Sequence, residues 1–64
     1  MKYKITIDMD NAAFQDDDYP GFELAKILDS LAFYFRHLFK GRIPDITILH
    51  DDNGNKVGSA KLIK

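Results

Sequence analysis

The sequence contains no cysteine and no tryptophan, and it has only two prolines and two histidines. Without cysteine there is no disulfide framework and no thiolate zinc site, and two histidines are too few for a histidine-only structural site. No apolar run approaches the roughly 20 residues that span a bilayer, so we expect no membrane partner and a cytoplasmic location. With nine basic and ten acidic residues, the net charge of −1 excludes a uniformly basic nucleic-acid coat.

The length of 64 residues predicts a single domain over residues 1–64, and the 45% hydrophobic and 30% charged composition is that of a globular chain. A domain of this size buries only about 60% of its unfolded surface, which leaves a small margin of stability. Because disulfides and a metal site are excluded, oligomerisation is the remaining means of adding buried surface. We therefore expect a homodimer.

Hydrophobic periodicity predicts one helix and three strands. Residues 2–9 alternate between an apolar and a polar face, as in a half-buried strand. A helix is expected to begin near Pro20, capped by Asp17 or Asp18, and to end at Gly41. Its apolar stripe comprises Leu24, Ile27, Leu28, Leu31, Phe35 and Leu38, with Phe39 close to it.

Two further strands, over residues 43–50 and 56–63, complete the predicted fold. The result is an α+β, two-layer β-α-β-β domain, in which one amphipathic helix packs on a three-stranded sheet of order 1-3-2. Strands 1 and 2 are expected to be parallel because of the right-handed crossover, and strands 2 and 3 to form a hairpin. Residues 10–19 are expected to form a polar loop.

The turn before strand 3 is expected to fix the hairpin register. A two-residue Asn53-Gly54 loop would pair Ile48 with Ser59 and Ile46 with Lys61, setting charge against core residues. A type I turn closed by a left-handed Gly54 pairs Ile48 with Gly58, Ile46 with Ala60 and Asp45 with Lys61. We predict the second register, because it keeps the apolar alternation and places opposite charges together.

This topology separates the charges to the two ends of the domain. The acidic end would collect seven carboxylates: Asp8, Asp10, Asp16, Asp17, Asp18, Asp51 and Asp52. The basic end would collect seven cations: Lys2, Lys4, Arg36, Lys40, Arg42, Lys61 and Lys64. Compensation of the helix dipole explains part of this separation, and orientation of a binding partner is the other interpretation.

No stretch of the sequence predicts catalysis or a metal site. Residues 51–55 match the start of a calcium loop, but Lys56 replaces the required glycine and Leu62 the bidentate carboxylate, so a hairpin turn is favoured. The two serines, Ser30 and Ser59, fall inside a helix and a strand without nucleophile-elbow glycines. We therefore expect a protein that is not an enzyme and that binds no cofactor.

The aromatic part of the helix is the main candidate for binding a protein. Phe22, Phe33 and His37 share an outward flank, with Tyr34 at the edge of the core, and they are the predicted contact residues together with Arg36 and Lys40. The alternative is that the 10–19 loop covers this flank with Phe14 or Tyr19. A second possible function is nucleic-acid binding by the basic end, through Lys2, Lys4, Arg36, Lys40 and Arg42.

The motifs K-Y-K-I-T-I at residues 2–7, D-N-A-A-F at 10–14 and D-x-N-G-N-K-V-G at 51–58 carry a family resemblance. With them, the chain resembles small uncharacterised proteins of bacteriophages and other mobile elements. It departs from their pattern at residues 33–35, where such helices usually turn charged. The resemblance brings no catalytic residues; it implies a phage or prophage setting. In that setting a small domain would bind and block a bacterial host protein, as inhibitors of CRISPR and other defence systems do.

Overall fold

The computed structural model describes residues 1–10, 12–15 and 18–64. The chain forms β1 (Lys2–Ile7), α1 (Ala12–Gln15), α2 (Pro20–Phe33), β2 (Ile46–His50) and β3 (Lys56–Ile63), and a π-helical segment, Tyr34–Leu38, continues α2 directly. The α+β class, the main helix and the sheet order β1-β3-β2 are as predicted. The four-residue α1 was not predicted and lies within the stretch expected to be loop. Asp16 and Asp17, assigned to the acidic end, fall outside the described residues.

Both ladders of the sheet are antiparallel: β1 with β3, and β2 with β3. The predicted parallel relation of strands 1 and 2 is not a parallel pairing. Strand β3 lies between them and is antiparallel to both, so β1 and β2 run in the same direction but share no ladder, and every pairing in the sheet is antiparallel. The central β3, eight residues long, is therefore the strand on which both edge strands depend.

A β-bulge in β3 changes the predicted hairpin register. Next to the turn, His50 pairs with Lys56, as the predicted register requires. Between this pair and the next, Leu49 with Gly58, β3 contains one extra residue, Val57, so all later pairs are shifted by one. Ile48 therefore faces Ser59 rather than Gly58.

The shift continues to the far end of the ladder. Ile46 faces Lys61 rather than Ala60, and Asp45 accepts a hydrogen bond from the Leu62 N–H (3.0 Å) rather than lying opposite Lys61. A one-residue shift exchanges the two faces of a strand. Thr47 and Leu49 consequently face the helix, and Ile46 and Ile48 lie on the opposite, open face of the sheet.

The core lies between α2 and the helix-facing side of the sheet. Its buried apolar residues are Phe14, Ile27, Leu31, Leu49, Val57 and Ala60, with Tyr3, Ile7, Leu24 and Phe35 packed against them. The bulge is consistent with this arrangement, because it allows Leu49, Val57 and Ala60 to be buried together. Phe14 shows that α1 contributes to the core rather than covering the outer surface of the helix.

Helix α2 begins at Pro20, as predicted. Proline is favoured in the first turn of a helix because an N–H group there would have no partner within the helix. The expected acidic cap is absent at Asp18: the N-cap is Tyr19, which makes no side-chain capping hydrogen bond. Instead the Phe22 N–H donates to the Tyr19 carbonyl (3.0 Å). Asp17, the other proposed cap, lies outside the described residues.

The end of the helix departs from regular α-helical geometry. The Phe39 N–H donates to the carbonyl of Tyr34, five residues earlier, and the Gly41 N–H to that of Phe35, six residues earlier (both 2.7 Å). The helical region ends at Leu38 with Phe39 as its C-cap, and the first left-handed residue is Lys40 (φ 53°), one before the predicted Gly41, which follows with φ 82°. Because the π-helical turn is wider, the 3.6-residue period no longer holds, and Leu38, predicted to be in the core, is 63% exposed.

The turn between β2 and β3 is organised by Asp51. Its carboxylate Oδ1 accepts hydrogen bonds from the N–H groups of Asn53 and Asn55 (both 2.9 Å), and its carbonyl accepts one from Gly54 (3.1 Å). Gly54 has φ 82°, which confirms the predicted left-handed conformation. The acidic loop is thus a hairpin turn stabilised by one buried carboxylate.

Candidate functional site

The predicted contact residues on the helix form two separate clusters. Phe22 lies near the start of α2 and contacts Tyr19 edge-on, with ring centroids 6.0 Å apart. Phe33 lies at the end of α2, eleven residues later, which is a rise of about 16 Å along the helix. Both phenylalanines remain exposed, 67% for Phe22 and 53% for Phe33. Tyr19 therefore touches this flank without covering it.

The cluster around Phe33 contains five of the six predicted residues. The Phe33 ring lies 4.5 Å from the His37 ring and 6.4 Å from that of Tyr34, to which it is nearly perpendicular. Arg36 and Lys40 are exposed in the same helical end. We call Phe33, Tyr34 and His37 with Arg36 and Lys40 the Phe33 cluster.

A chain of ring contacts anchors the Phe33 cluster to the core. Tyr34 contacts Phe39 (6.1 Å between centroids), Phe39 contacts Phe35 (5.8 Å), and Phe35 contacts Tyr3 of β1 (5.6 Å). Contacts of this kind restrain ring orientation and contribute beyond simple burial. The exposed Phe33 ring is therefore held in place by neighbouring aromatic rings that pack, one on the next, down to the core.

The cations of the nucleic-acid hypothesis lie at one end of the domain but in two layers. The contact between Tyr3 and Phe35 places the start of β1 beneath the π-helical segment. Arg36, Lys40 and Arg42 are exposed around that segment and the residues that follow it. Lys2 and Lys4, by contrast, point to the open face of the sheet, so the five cations form no single surface.

The open face of the sheet combines lysines with isoleucines. Lys4 and Ile46 flank Lys61 in one row across the strands, and Lys2 pairs with Ile63 in the next. Ile46 (52%) and Ile48 (38%) are substantially exposed. Like charges directly opposite each other destabilise a sheet, and the Lys4–Lys61 pair is such a case.

A charged network joins the helix to the hairpin at the acidic end. Glu23, only 5% exposed, accepts a hydrogen bond from the Asp52 N–H (3.1 Å). Lys26 donates to the Asp52 carboxylate (2.7 Å) and lies 3.7 Å from that of Glu23. The Lys26 hydrogen bond lowers the pKa of Asp52 below its ordinary value. The network therefore ties α2 to the turn.

Sequence reasoning assigned no role to Glu23, although a signal for it was present. Glu23, Ile27 and Leu31 are spaced by four residues, which places an acid on the same helical line as two core residues. An ionisable side chain on a core line needs a partner, and here that partner is the hairpin backbone. Asp51 was assigned to the acidic end and to the hairpin turn, but its role as the acceptor that organises that turn was not predicted.

An open groove of about 180 Å³ lies between α2 and β2. Its helical side includes Lys26, Ser30 and Tyr34, and its sheet side includes Ile48 and His50. Among the described residues, no hydrogen bond joins His50 to a serine that could act as a nucleophile. The groove therefore has polar walls, but the described residues show no catalytic arrangement in it.

Two buried hydroxyls lie beneath the π-helical segment. Neither Tyr3 Oη nor Thr47 Oγ1 makes a hydrogen bond within ordinary distance and angle limits among the described residues. Burial raises the pKa of the Tyr3 phenol, and the neighbouring Thr47 side chain partly offsets this rise. Burial therefore removes both hydroxyls from water without a regular hydrogen bond to replace those made to water.

The described part of the chain contains no group of three or more histidine or carboxylate side chains arranged to hold a metal ion. No helix among the described residues has the length and apolar character needed to cross a membrane.

The comparisons with known proteins gave no match: no family model, no curated protein and no solved structure is similar to this chain.

Proposed function

We propose that this domain is a non-enzymatic protein-binding module that docks onto a partner protein through the Phe33 cluster. The observation that carries the proposal is an exposed phenylalanine, whose ring contacts that of His37 at a tilt of 40° and is linked by further ring contacts to the core. Aromatic residues close to arginine are enriched at the centres of protein interfaces. A rigid aromatic loses little conformational entropy on binding, so this support favours affinity.

The resemblance to mobile-element proteins supports a narrower form of the proposal. In that form the partner is a protein of the bacterial host, met in its cytoplasm, and docking inhibits a defence system such as CRISPR. The charged ends of the domain would orient it on the partner, because complementary charges raise the rate and specificity of association. Phe22, about 16 Å away along the helix, would extend the contact only if the partner covers the length of α2.

The test is capture of the partner from host lysate with tagged wild-type protein and the variant Phe33→Asp. Truncating or charging an interface anchor costs about 2 kcal/mol or more, which is roughly a 30-fold loss of affinity. Ile63→Asp is the matched control, since Ile63 is similarly exposed (47%) but lies on the open face of the sheet. If Phe33→Asp still captures the partner and Ile63→Asp does not, the Phe33 cluster is not the docking site.

Nucleic-acid binding by the basic end is the second candidate. It is supported by Lys2, Lys4 and Lys61 on the open face, where the described strand residues include no carboxylate. Such binding should weaken steeply with salt, with a slope set by the number of phosphates neutralised, and should fall on Lys4→Ala or Lys61→Ala. Docking through the Phe33 cluster should instead persist in moderate salt. A salt titration therefore separates the two candidates.

A further inference from the structure

The two edges of the sheet differ in how they are protected. Strand β1, at one edge, carries Lys2 and Lys4, and charged side chains on an edge strand discourage pairing with another chain. Strand β2, at the other edge, has the sequence Ile-Thr-Ile-Leu-His and includes no lysine, carboxylate or proline. The β1 edge is therefore protected by charged side chains, whereas the β2 edge can pair with another strand.

The hydrogen bonds at the two ends of β2 show which of its backbone groups face outward. The Asp45 carbonyl accepts from Leu62, and the Asp51 N–H donates to Asn55, so both of these odd-numbered residues bond inward to the hairpin partner. Inward and outward residues alternate along an antiparallel strand. Ile46, Ile48 and His50 therefore direct their N–H and C=O groups away from β3, toward the edge.

We propose that β2 pairs antiparallel with β2 of a second copy, about a two-fold axis at Ile48, to form a six-stranded sheet. In this register Ile48 faces its own counterpart, and Ile46 faces His50 of the second copy. The outward groups of the three residues then form about six main-chain hydrogen bonds. Within β2 no like-charged side chains are placed opposite each other, so residues 46–50 are complementary to themselves. The flanking Asp45 of each copy lies opposite Asp51 of the other, whose carboxylate is buried and bonded within the hairpin turn.

Charge favours this pairing over the other ways in which two copies could meet. Pairing through β1 would bring Lys2 and Lys4 of both copies together. Packing the open faces against each other would bury six lysines, counting Lys61, where the described strand residues offer no carboxylate. Of these three arrangements, pairing through β2 is the one that opposes no ammonium groups.

The helical layer leaves room along this edge. The groove between α2 and β2 is open and is lined by Ile48, and both Ile46 and Ile48 are exposed on the edge strand. Among the described residues six apolar side chains are buried in the core, so a domain of this size would be stabilised by further burial of apolar surface. A five-residue strand is only about 17 Å long, so the dimer is expected to be weak and to depend on concentration.

The experiment is sedimentation equilibrium of the full chain at concentrations up to about 1 mM, because weak complexes form in that range. Ile48→Lys and Thr6→Lys are the matched pair of variants. Thr6 and Ile48 flank Ser59 in the same row of the open face, one on each edge strand. Ile48→Lys sets two ammonium groups against each other at the two-fold axis and should weaken dimerisation at least tenfold. Thr6→Lys should leave it unchanged. Thermal unfolding of both variants verifies that the fold is retained.

A charge-exchange experiment makes the assignment specific to this register. Ile48→Lys and Ile48→Glu should each be monomeric alone, and an equimolar mixture should form a heterodimer. A wild-type monomer at the highest concentration would overturn the proposal, as would a dimer that Ile48→Lys leaves intact. If Phe33→Asp dissociates the dimer and Ile48→Lys does not, self-association occurs through the Phe33 cluster instead of β2. Sedimentation tests the dimer and partner capture tests the docking function, so failure of one proposal can be distinguished from failure of the other.

Discussion

Gly58 is the residue at which one added carbon atom should have the largest effect. It lies on the central strand, beside the bulge, and pairs with Ile7 on one side and Leu49 on the other. A Cβ built there overlaps the carbonyl oxygen of Thr6 and comes within 3.0 Å of the Ile7 Cα. The obstacle is the backbone of β1, which no side-chain rotation can relieve, so Gly58→Ala must push β1 away from β3.

Over-packing of this kind costs about 1–3 kcal/mol, and a backbone obstacle favours the upper end of that range. A 64-residue domain has a total stability of about 3–10 kcal/mol at the usual 0.05–0.15 kcal/mol per residue. At about 2.1 cal/mol/K of unfolding entropy per residue, a loss of roughly 2–3 kcal/mol lowers Tm by about 15–20 °C. Circular dichroism melting curves of Gly58→Ala and wild type measure this shift.

Gly21→Ala is the matched control for Gly58→Ala. A Cβ at Gly21 meets no atom within 4 Å, and its backbone is in the first turn of α2. Alanine is favoured over glycine in a helix, so this variant should melt at the wild-type temperature or slightly above it. If Gly58→Ala melts within a few degrees of Gly21→Ala, β1 and β3 do not approach as closely as described, and the bulge geometry is wrong.

Two further predictions concern polar groups inside the fold. Lys26 lowers the pKa of Asp52, so its stabilising effect is present at neutral pH and is lost as the pH falls through the folded-state pKa, below about 4. In Lys26→Met, an NMR titration should show the Asp52 pKa shifted upward, and an unchanged pKa would contradict the ion pair. The paired change Tyr3→Phe and Thr47→Val removes two buried hydroxyls without regular hydrogen bonds, so urea unfolding should show equal stability or a gain of up to about 1 kcal/mol. A loss of 2 kcal/mol or more in the double variant would mean that the hydroxyls are satisfied in solution.

The features that could be predicted from the sequence are those that depend on local backbone preferences. Pro20 determines where the helix begins, and Gly54 is the left-handed residue of the hairpin turn. The alternation in β1 and the 3.6-residue spacing in α2 identified the elements and the class of the fold, and each of these signals is contained within a few neighbouring residues. The sheet order followed from the right-handed crossover and the hairpin connection.

The errors came from two irregularities whose causes are not local. The bulge at Val57 depends on the packing of Leu49, Val57 and Ala60 against the helix, which alternation within a single strand does not reveal. The π-helical turn after Phe33 similarly places Phe35 on Tyr3 and leaves Leu38 exposed. Bulges and π-helical turns each change which side chains face outward, so they alter the candidate surfaces more than they alter the fold.

The corrected geometry places the two proposed contacts on different parts of the domain. The Phe33 cluster lies on the outer flank of the helical layer, and the β2 edge presents main-chain groups in the plane of the sheet. Pairing through β2 therefore leaves Phe33 exposed in both copies and gives an assembly with two docking sites related by a two-fold axis. Two linked sites bind a partner with two matching surfaces far more tightly than either site alone. If both proposals hold, Ile48→Lys should weaken capture of such a partner without altering the Phe33 cluster, whereas Phe33→Asp should abolish capture in monomer and dimer alike.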